Sequence, residues 1–253
     1  MTIPKAIFFD LDDTLIRYDD AYEIALTASH ELVSRRHPHV SRADLRKAVF
    51  ASYEKLFGYR TQGFADAGTL SVQAMRERLT GDALRALDAD DSPGFVAELI
   101  AAHEAVEARE ITVFADTHPT LDILGTHFRL GVITNGPSAM QRAKLVAADL
   151  APRFPVIVVD SEFGHPKPDA RIFAHAAQAV GFAPDEMLFV GNSPEADVAG
   201  AVGAGWTSVW VNASGACLPA GVPAPHHVIK SLGELPELPP ISAVIAATRG
   251  TIR

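Results

Sequence analysis

Apolar positions run through this chain in two rhythms, and the change of rhythm divides it. Ala6, Ile7, Phe8 and Phe9 form a continuous apolar run too short for a helix of its own, the signature of a strand buried on both faces. Similar runs return at Arg129–Thr134, Val156–Val159, Met187–Val190 and Thr207–Val211, with Val228-Ile229 as a short last strand. Between them, helical spacing appears near Ser138–Asp149, Asp169–Val180 and Glu195–Ala204. Strands alternating with helices predict a parallel sheet with helices on both faces, an α/β Rossmann-like domain.

From Arg17 to about Arg109 the spacing is helical throughout. Ala21, Ala25, Ala28 and Leu32 make one amphipathic stripe, and Leu45, Val49, Ser52 and Leu56 make a second. The second stripe is opened by Ser41 and Asp44 as a capping pair and stopped by Gly58. A further helix starts at Ser92-Pro93, with proline at its first position, and turns Val96, Leu99, His103 and Val106 inward. The expected organisation is an α/β core from residues 1–16 and 110–253, interrupted after its first strand by an all-α helical domain over 17–109. The proline-rich segment from Leu235 to Pro240 reads as surface, with Ile241 to Thr248 helical after it.

Composition narrows the partners. Twenty-two basic against 31 acidic residues leave a net charge of -9, which gives no footprint for nucleic acid and argues against an anionic membrane surface. An anionic ligand would therefore need a local positive site. Cys217 is the only cysteine, so neither an internal disulfide nor a thiolate metal cluster is available. With no basic-then-apolar leader and no apolar run of spanning length, a soluble cytoplasmic protein is the expectation. Oligomeric state is left open.

The chemistry gathers at the predicted strand ends, where open α/β sheets collect ligands. The first strand runs into Asp10, Asp12 and Asp13, three acids within four residues. Like charges this close repel, and persist where something positive lies among them. An acidic turn in which Asp13 or Thr14 caps the next segment is the bland alternative. Thr134-Asn135-Gly136 comes after the second strand, Gly164-His165-Pro166-Lys167-Pro168-Asp169 joins the third to its helix, and Gly191-Asn192-Ser193 with Asp197 comes after the fourth. Taken singly, the second reads as a strand-ending turn and the third as a loop with a solvated lysine.

Taken together and in this order, they make the chain resemble the haloacid dehalogenase-like hydrolase superfamily, in the branch whose helical cap comes after the first motif. The resemblance spans essentially the whole chain. It implies Asp10 as nucleophile through an aspartyl-phosphate, Asp12 as general acid and then base, and Lys167 as the compensating cation. Thr134 and Asn135, with Lys167, would hold the phosphoryl group. A Mg2+ ion would be held by Asp10, the Asp12 backbone carbonyl, Asn192 and Asp197. Many relatives carry an acid where this chain has Asn192; an amide oxygen is still an acceptable ligand for Mg2+, with weaker binding expected.

In the helical domain Tyr18, Tyr22, Tyr53, Phe57, Tyr59, Arg60 and Phe64 are candidates for substrate contact, Tyr18 and Arg60 above the rest, although aromatics at helical spacing also build cores. The implied activity is Mg2+-dependent hydrolysis of a small phosphorylated metabolite. A phosphomutase would share every core motif, and a dehalogenase would not need Asp12. A catalytically impaired binding protein has only Asn192 in its favour.

Overall fold

The computed structural model describes residues 2–57 and 70–250. The chain divides into two compact units, Met1–Arg17 with Val113–Arg253, and Tyr18–Thr112. The first holds a six-stranded sheet: β1 (Ala6–Phe9), β2 (Arg129–Thr134), β3 (Val156–Val159), β4 (Met187–Gly191), β5 (Thr207–Val211) and β6 (His227–Ile229). The strand order is β3-β2-β1-β4-β5-β6, with every neighbouring pair parallel. The chain builds outward from β1 on one side, then crosses back to build β4 against its other edge. All carboxyl ends therefore lie on one rim, with β1 in the middle.

Residues alternate between the faces of this sheet. Phe8 and Phe189 face one side, where they pack edge-on with Trp206 and with Phe173 of the helix Ala170–Val180. Ile7 and Phe9 face the other and are equally buried. Gly131 sits beside Phe8 in register on β2, where a Cβ would lie 2.2 Å from the Phe8 ring. The loop after β1 is tight: Leu15 N–H donates to Leu11 O, and Asp13 takes a left-handed φ of 56°. Asp13 is thus spent on shaping the loop, as a short polar residue can. Ile16 then pairs antiparallel with Val113, so the chain leaves this unit and re-enters it at adjacent points.

The second unit contains α1 (Tyr18–Arg36), α2 (Arg42–Phe57), α3 (Val72–Ala86) and α4 (Pro93–Glu110) among its described residues. Ser41 and Asp44 form the capping pair, the Asp44 N–H donating to Ser41 Oγ at 3.1 Å. On α1 the innermost stripe is Ala21, Ala25, Leu26, Ser29 and Val33, while Ala28 and Leu32 are only half-buried. The stripe expected from the sequence holds at Ala21 and Ala25 and then drifts by one ridge, because α1 packs on its Leu26–Val33 side into a core with Leu84, Phe95, Leu99 and Ile100. Val106 is likewise half-buried, and Glu107 takes the inner position, met by Arg76 Nη2 at 3.1 Å. The Gly58 helix stop, Tyr59, Arg60 and Phe64 lie outside the described residues.

Back in the α/β unit, the proline-rich tail is not wholly surface. A turn of 3-10 helix over Leu232–Glu237 buries Leu232 and Leu235, and the following helix, Pro239–Gly250, buries Ile241. Two leucines outweigh the prolines that frame them. Among the described residues, no helix is long and apolar enough to cross a membrane.

Gly131→Ala should force the Phe8 ring against Trp206 and cost about 1–3 kcal/mol. Urea unfolding of the full chain measures it, and a change within about 0.5 kcal/mol, the range of an innocuous surface substitution, would show that the strand yields instead.

Candidate active site

Each of the four strand-end segments brings its polar residue to the rim because the strand before it is too apolar to stop anywhere else. Asp10 comes directly after Phe9, and its N–H continues the sheet ladder by donating to Val190 O at 2.9 Å. Its carboxylate is thereby fixed opposite the end of β4. Lys167 arrives from the segment after β3 and is 2% exposed. Its Nζ donates to Asp10 Oδ1 at 2.6 Å and to Asp197 Oδ1 at 2.7 Å, so one ammonium bridges two buried carboxylates.

Burial drives the electrostatics. It pushes the Asp10 carboxyl up to about 7, with Lys167 pulling against it and Asp197 adding to the rise. Burial also works against the charge on Lys167, but the two carboxylates outweigh it and hold the lysine as a cation above its ordinary range. The trio carries one positive and two negative charges when ionised, a net deficit of one cation's charge.

Asp197 is held on both oxygens. Oδ1 accepts from Lys167, and Oδ2 accepts from the Ser193 N–H at 2.9 Å. Gly191 permits this, since a Cβ there would fall 2.2 Å from Asp197 Oδ2. Asn192, between them, turns its Oδ1 toward Thr14 Oγ1 at 3.3 Å, while the same hydroxyl lies 3.4 Å from Asp10 Oδ2. The Asn192 backbone carbonyl accepts from Trp210 Nε1 at 2.9 Å.

Asn135, expected at the phosphate through this turn, has its side chain engaged with the backbone of Lys167. Its Nδ2 donates to Lys167 O at 3.0 Å, and its Oδ1 accepts the Lys167 N–H at 2.9 Å. It is a brace for the lysine's backbone. Thr134 Oγ1 accepts from Gln141 Nε2 at 2.6 Å, which leaves the hydroxyl proton to be donated to another group. The Gly136 N–H is taken by Asp160 Oδ1 at 2.7 Å, and Ser161 Oγ donates to Gly136 O at 2.9 Å.

Asp12 lies with both oxygens 2.9 Å from Lys144 Nζ, and Oδ2 also accepts from Gln141 Nε2 at 3.0 Å. Gln141, Lys144 and Asp160 belong to none of the motifs read from the sequence. Gln141 and Lys144 had one signal, their i, i+3 spacing just beyond the Thr134 turn, which puts two polar side chains on one helix face. Asp160 had none beyond its position after β3. Tyr18 belongs to the helical unit, half-buried with its ring 6.3 Å from that of Tyr22, and Arg60 is outside the described residues.

Among the described residues, no three His, Cys, Asp or Glu side chains group as a metal cage. The oxygens that do converge are Asp10 Oδ2 and Asn192 Oδ1, both at Thr14 Oγ1. A hard-oxygen set with so few anionic members suits a cation that keeps several of its waters.

Asp160 supplies a pH handle away from these residues. Burial raises its carboxyl to about 6, against the pull of the Gly136 and Ser161 N–H groups and of Lys167. The folded chain then keeps a proton that the unfolded chain releases near pH 4. Asp160 thus contributes most stability below that pH and loses it as pH climbs to about 6, by up to about 3 kcal/mol. Asp160→Asn should gain stability relative to wild type by roughly that amount between pH 4 and pH 7.5 in urea unfolding. A gap that stays constant with pH would refute this.

Over residues 4–205 the chain matches the haloacid dehalogenase-like hydrolase family. It is 29% identical over 238 residues to the N-acylneuraminate-9-phosphatase of Rattus norvegicus, covering 92% of this chain and 93% of that protein. It is 31% identical over 223 residues to the phosphoserine phosphatase of Thermus thermophilus, covering 82% and 88%. Among solved structures, a 2-haloacid dehalogenase from Pseudomonas syringae superimposes with a TM-score of 0.67 at 26% identity, covering 97% of this chain and 99% of that one.

Proposed function

The chain belongs to the haloacid dehalogenase-like hydrolases and is a phosphatase; from that premise we propose that it hydrolyses small phosphate monoesters through an aspartyl-phosphate on Asp10. The observation that carries this reading is the Lys167 ammonium, 2.6 Å from Asp10 and buried with it, where a second carboxylate, Asp12, stands two residues further along the chain from Asp10. An oxygen of Asp10 attacks phosphorus as the ester bond to the leaving oxygen breaks. Asp12 gives its proton to that oxygen, then takes one from the water that attacks the phosphoryl-enzyme, releasing inorganic phosphate and restoring Asp10. Lys167 stabilises the charge that builds on the transferring group, and the Thr134 hydroxyl donates to one of its oxygens. Carbon chemistry of the dehalogenase kind has no use for an acid at Asp12, which favours phosphorus.

HAD phosphatases generally use a divalent metal, and here Mg2+ would be held by Asp10, the Asp12 backbone carbonyl and Asn192, with Asp197 acting indirectly. Bound there, it would supply the missing positive charge to the phosphoryl oxygens. The α/β part, residues 1–16 and 110–253, is read as the catalytic domain, and residues 17–109 as an inserted cap domain. The substrate is a small phosphorylated metabolite, of the kind named for the curated relatives.

Two measurements test this. Asp10→Asn should abolish phosphate release from 4-nitrophenyl phosphate, by at least about a thousandfold, while leaving the fold intact by circular dichroism; near-normal turnover would overturn the covalent route. Asn192→Asp should tighten Mg2+ binding about tenfold, equivalent to about 1.4 kcal/mol. The fluorescence of Trp210, whose indole N–H reaches the Asn192 backbone, reports it, and equal affinity in the two proteins would remove Asn192 from the metal.

A further inference from the structure

Gln141 and Lys144 form and break no bond in the proposed reaction, yet their placement is costly. Both lie on the helix Ser138–Ala147, and both are buried, Lys144 to 6% and Gln141 to 1% exposure. Three residues apart, they share a face with Leu145, where a helix packed on a sheet ordinarily carries apolar side chains. An ammonium taken out of water to that degree costs several kcal/mol unless a counter-charge meets it. The carboxylate that meets Lys144 is Asp12, with Nζ 2.9 Å from both oxygens. Gln141 adds a second tie. Its Nε2 group donates at 3.0 Å to Asp12 Oδ2 and at 2.6 Å to Thr134 Oγ1, so one amide joins the first strand end to the second. Gly136, at φ 135°, leaves room for it, since a Cβ there would lie 3.3 Å from the Gln141 amide carbon.

We infer that Gln141 and Lys144 are positioning residues for Asp12, fixing the carboxylate's direction relative to the phosphoryl-holding Thr134. The inference rests on the reading of Asp12 as general acid and base; the ion pair with Lys144 holds its ionised form, the form left once the proton has gone to the leaving group and the one that takes a proton from water. Lys144 grips both oxygens as a pair, which fixes the plane of the carboxylate. Gln141 sets its rotation by holding one of them. Neither side chain needs to touch the substrate; each acts by keeping a side chain that is still 26% exposed from sampling other rotamers.

A positioning role for a proton donor has a kinetic signature that loss of general stability lacks. A leaving group that departs readily as an anion needs little proton transfer, and a basic one needs it fully. The experiment compares kcat/KM of the full chain for substituted phenyl phosphates, from 4-nitrophenyl phosphate to unsubstituted phenyl phosphate, in Lys144→Met, Gln141→Met and Asp12→Ala. The expected result is a drop of less than about threefold on 4-nitrophenyl phosphate and about 30-fold or more on phenyl phosphate for Lys144→Met, with Gln141→Met showing the same slope more weakly. Should Lys144→Met fail to fold by circular dichroism, Gln141→Met carries the test alone. Uniform loss across the series in the folded variants, with Asp12→Ala selective for basic leaving groups, would overturn the inference and leave the reading of Asp12 intact. Uniform loss in Asp12→Ala itself would overturn both.

Discussion

A lysine ammonium cannot stand in a protein interior without counter-charge, and most of this site follows from how Lys167 is satisfied. With 2% of its surface exposed, it depends on Asp10 at 2.6 Å and Asp197 at 2.7 Å, and they depend on it. Removing the lysine would leave two carboxylates without their cation in a region of low dielectric. The three residues arrive from β1, from the segment after β3 and from the turn after β4, so a single ion cluster fastens three strand ends across the middle of the sheet. The remaining braces serve the same end. Asn135 fixes the lysine's backbone from β2, and the Ser193 N–H fixes Asp197 from its own turn.

The sheet and the rim were legible in the sequence for one physical reason. A strand buried on both faces must be apolar along its whole length, so the point at which polarity returns marks its end. Asp10, Thr134, Asn192 and Asp197 could be found that way, and Lys167 because it sat between prolines in a loop of the same series. Side chains whose role depends on distance through space gave no such mark. Asp160 lies 24 residues from the Gly136 N–H it holds, and Lys144 lies 132 residues from Asp12. The side-chain brace from Asn135 to the Lys167 backbone, 32 residues away, gave no mark either. In the helical unit the expected inward positions Ala21, Ala25, Leu45, Ser52, Leu56, Val96 and Leu99 are buried, and the misses on the first helix are Ala28 and Leu32, which lie one ridge from Leu26 and Val33; only the packing partner decides between such neighbours.

Asn192 is a neutral residue set among the charged groups of the site. It keeps an oxygen pointed at Thr14, the hydroxyl that also lies near Asp10. Its amide offers an acceptor oxygen without adding negative charge near a lysine that already answers to two acids.

The pairing of Ile16 with Val113 carries a consequence of another kind. In an antiparallel bridge the two backbones run about 5 Å apart, so the chain quits the sheet-bearing unit and rejoins it across the width of one peptide group. To the sheet, everything from Tyr18 to Thr112 is equivalent to a long loop with fixed ends. Such a segment can lengthen or shrink without shifting a single strand register, because its two ends stay one bridge apart whatever lies between them.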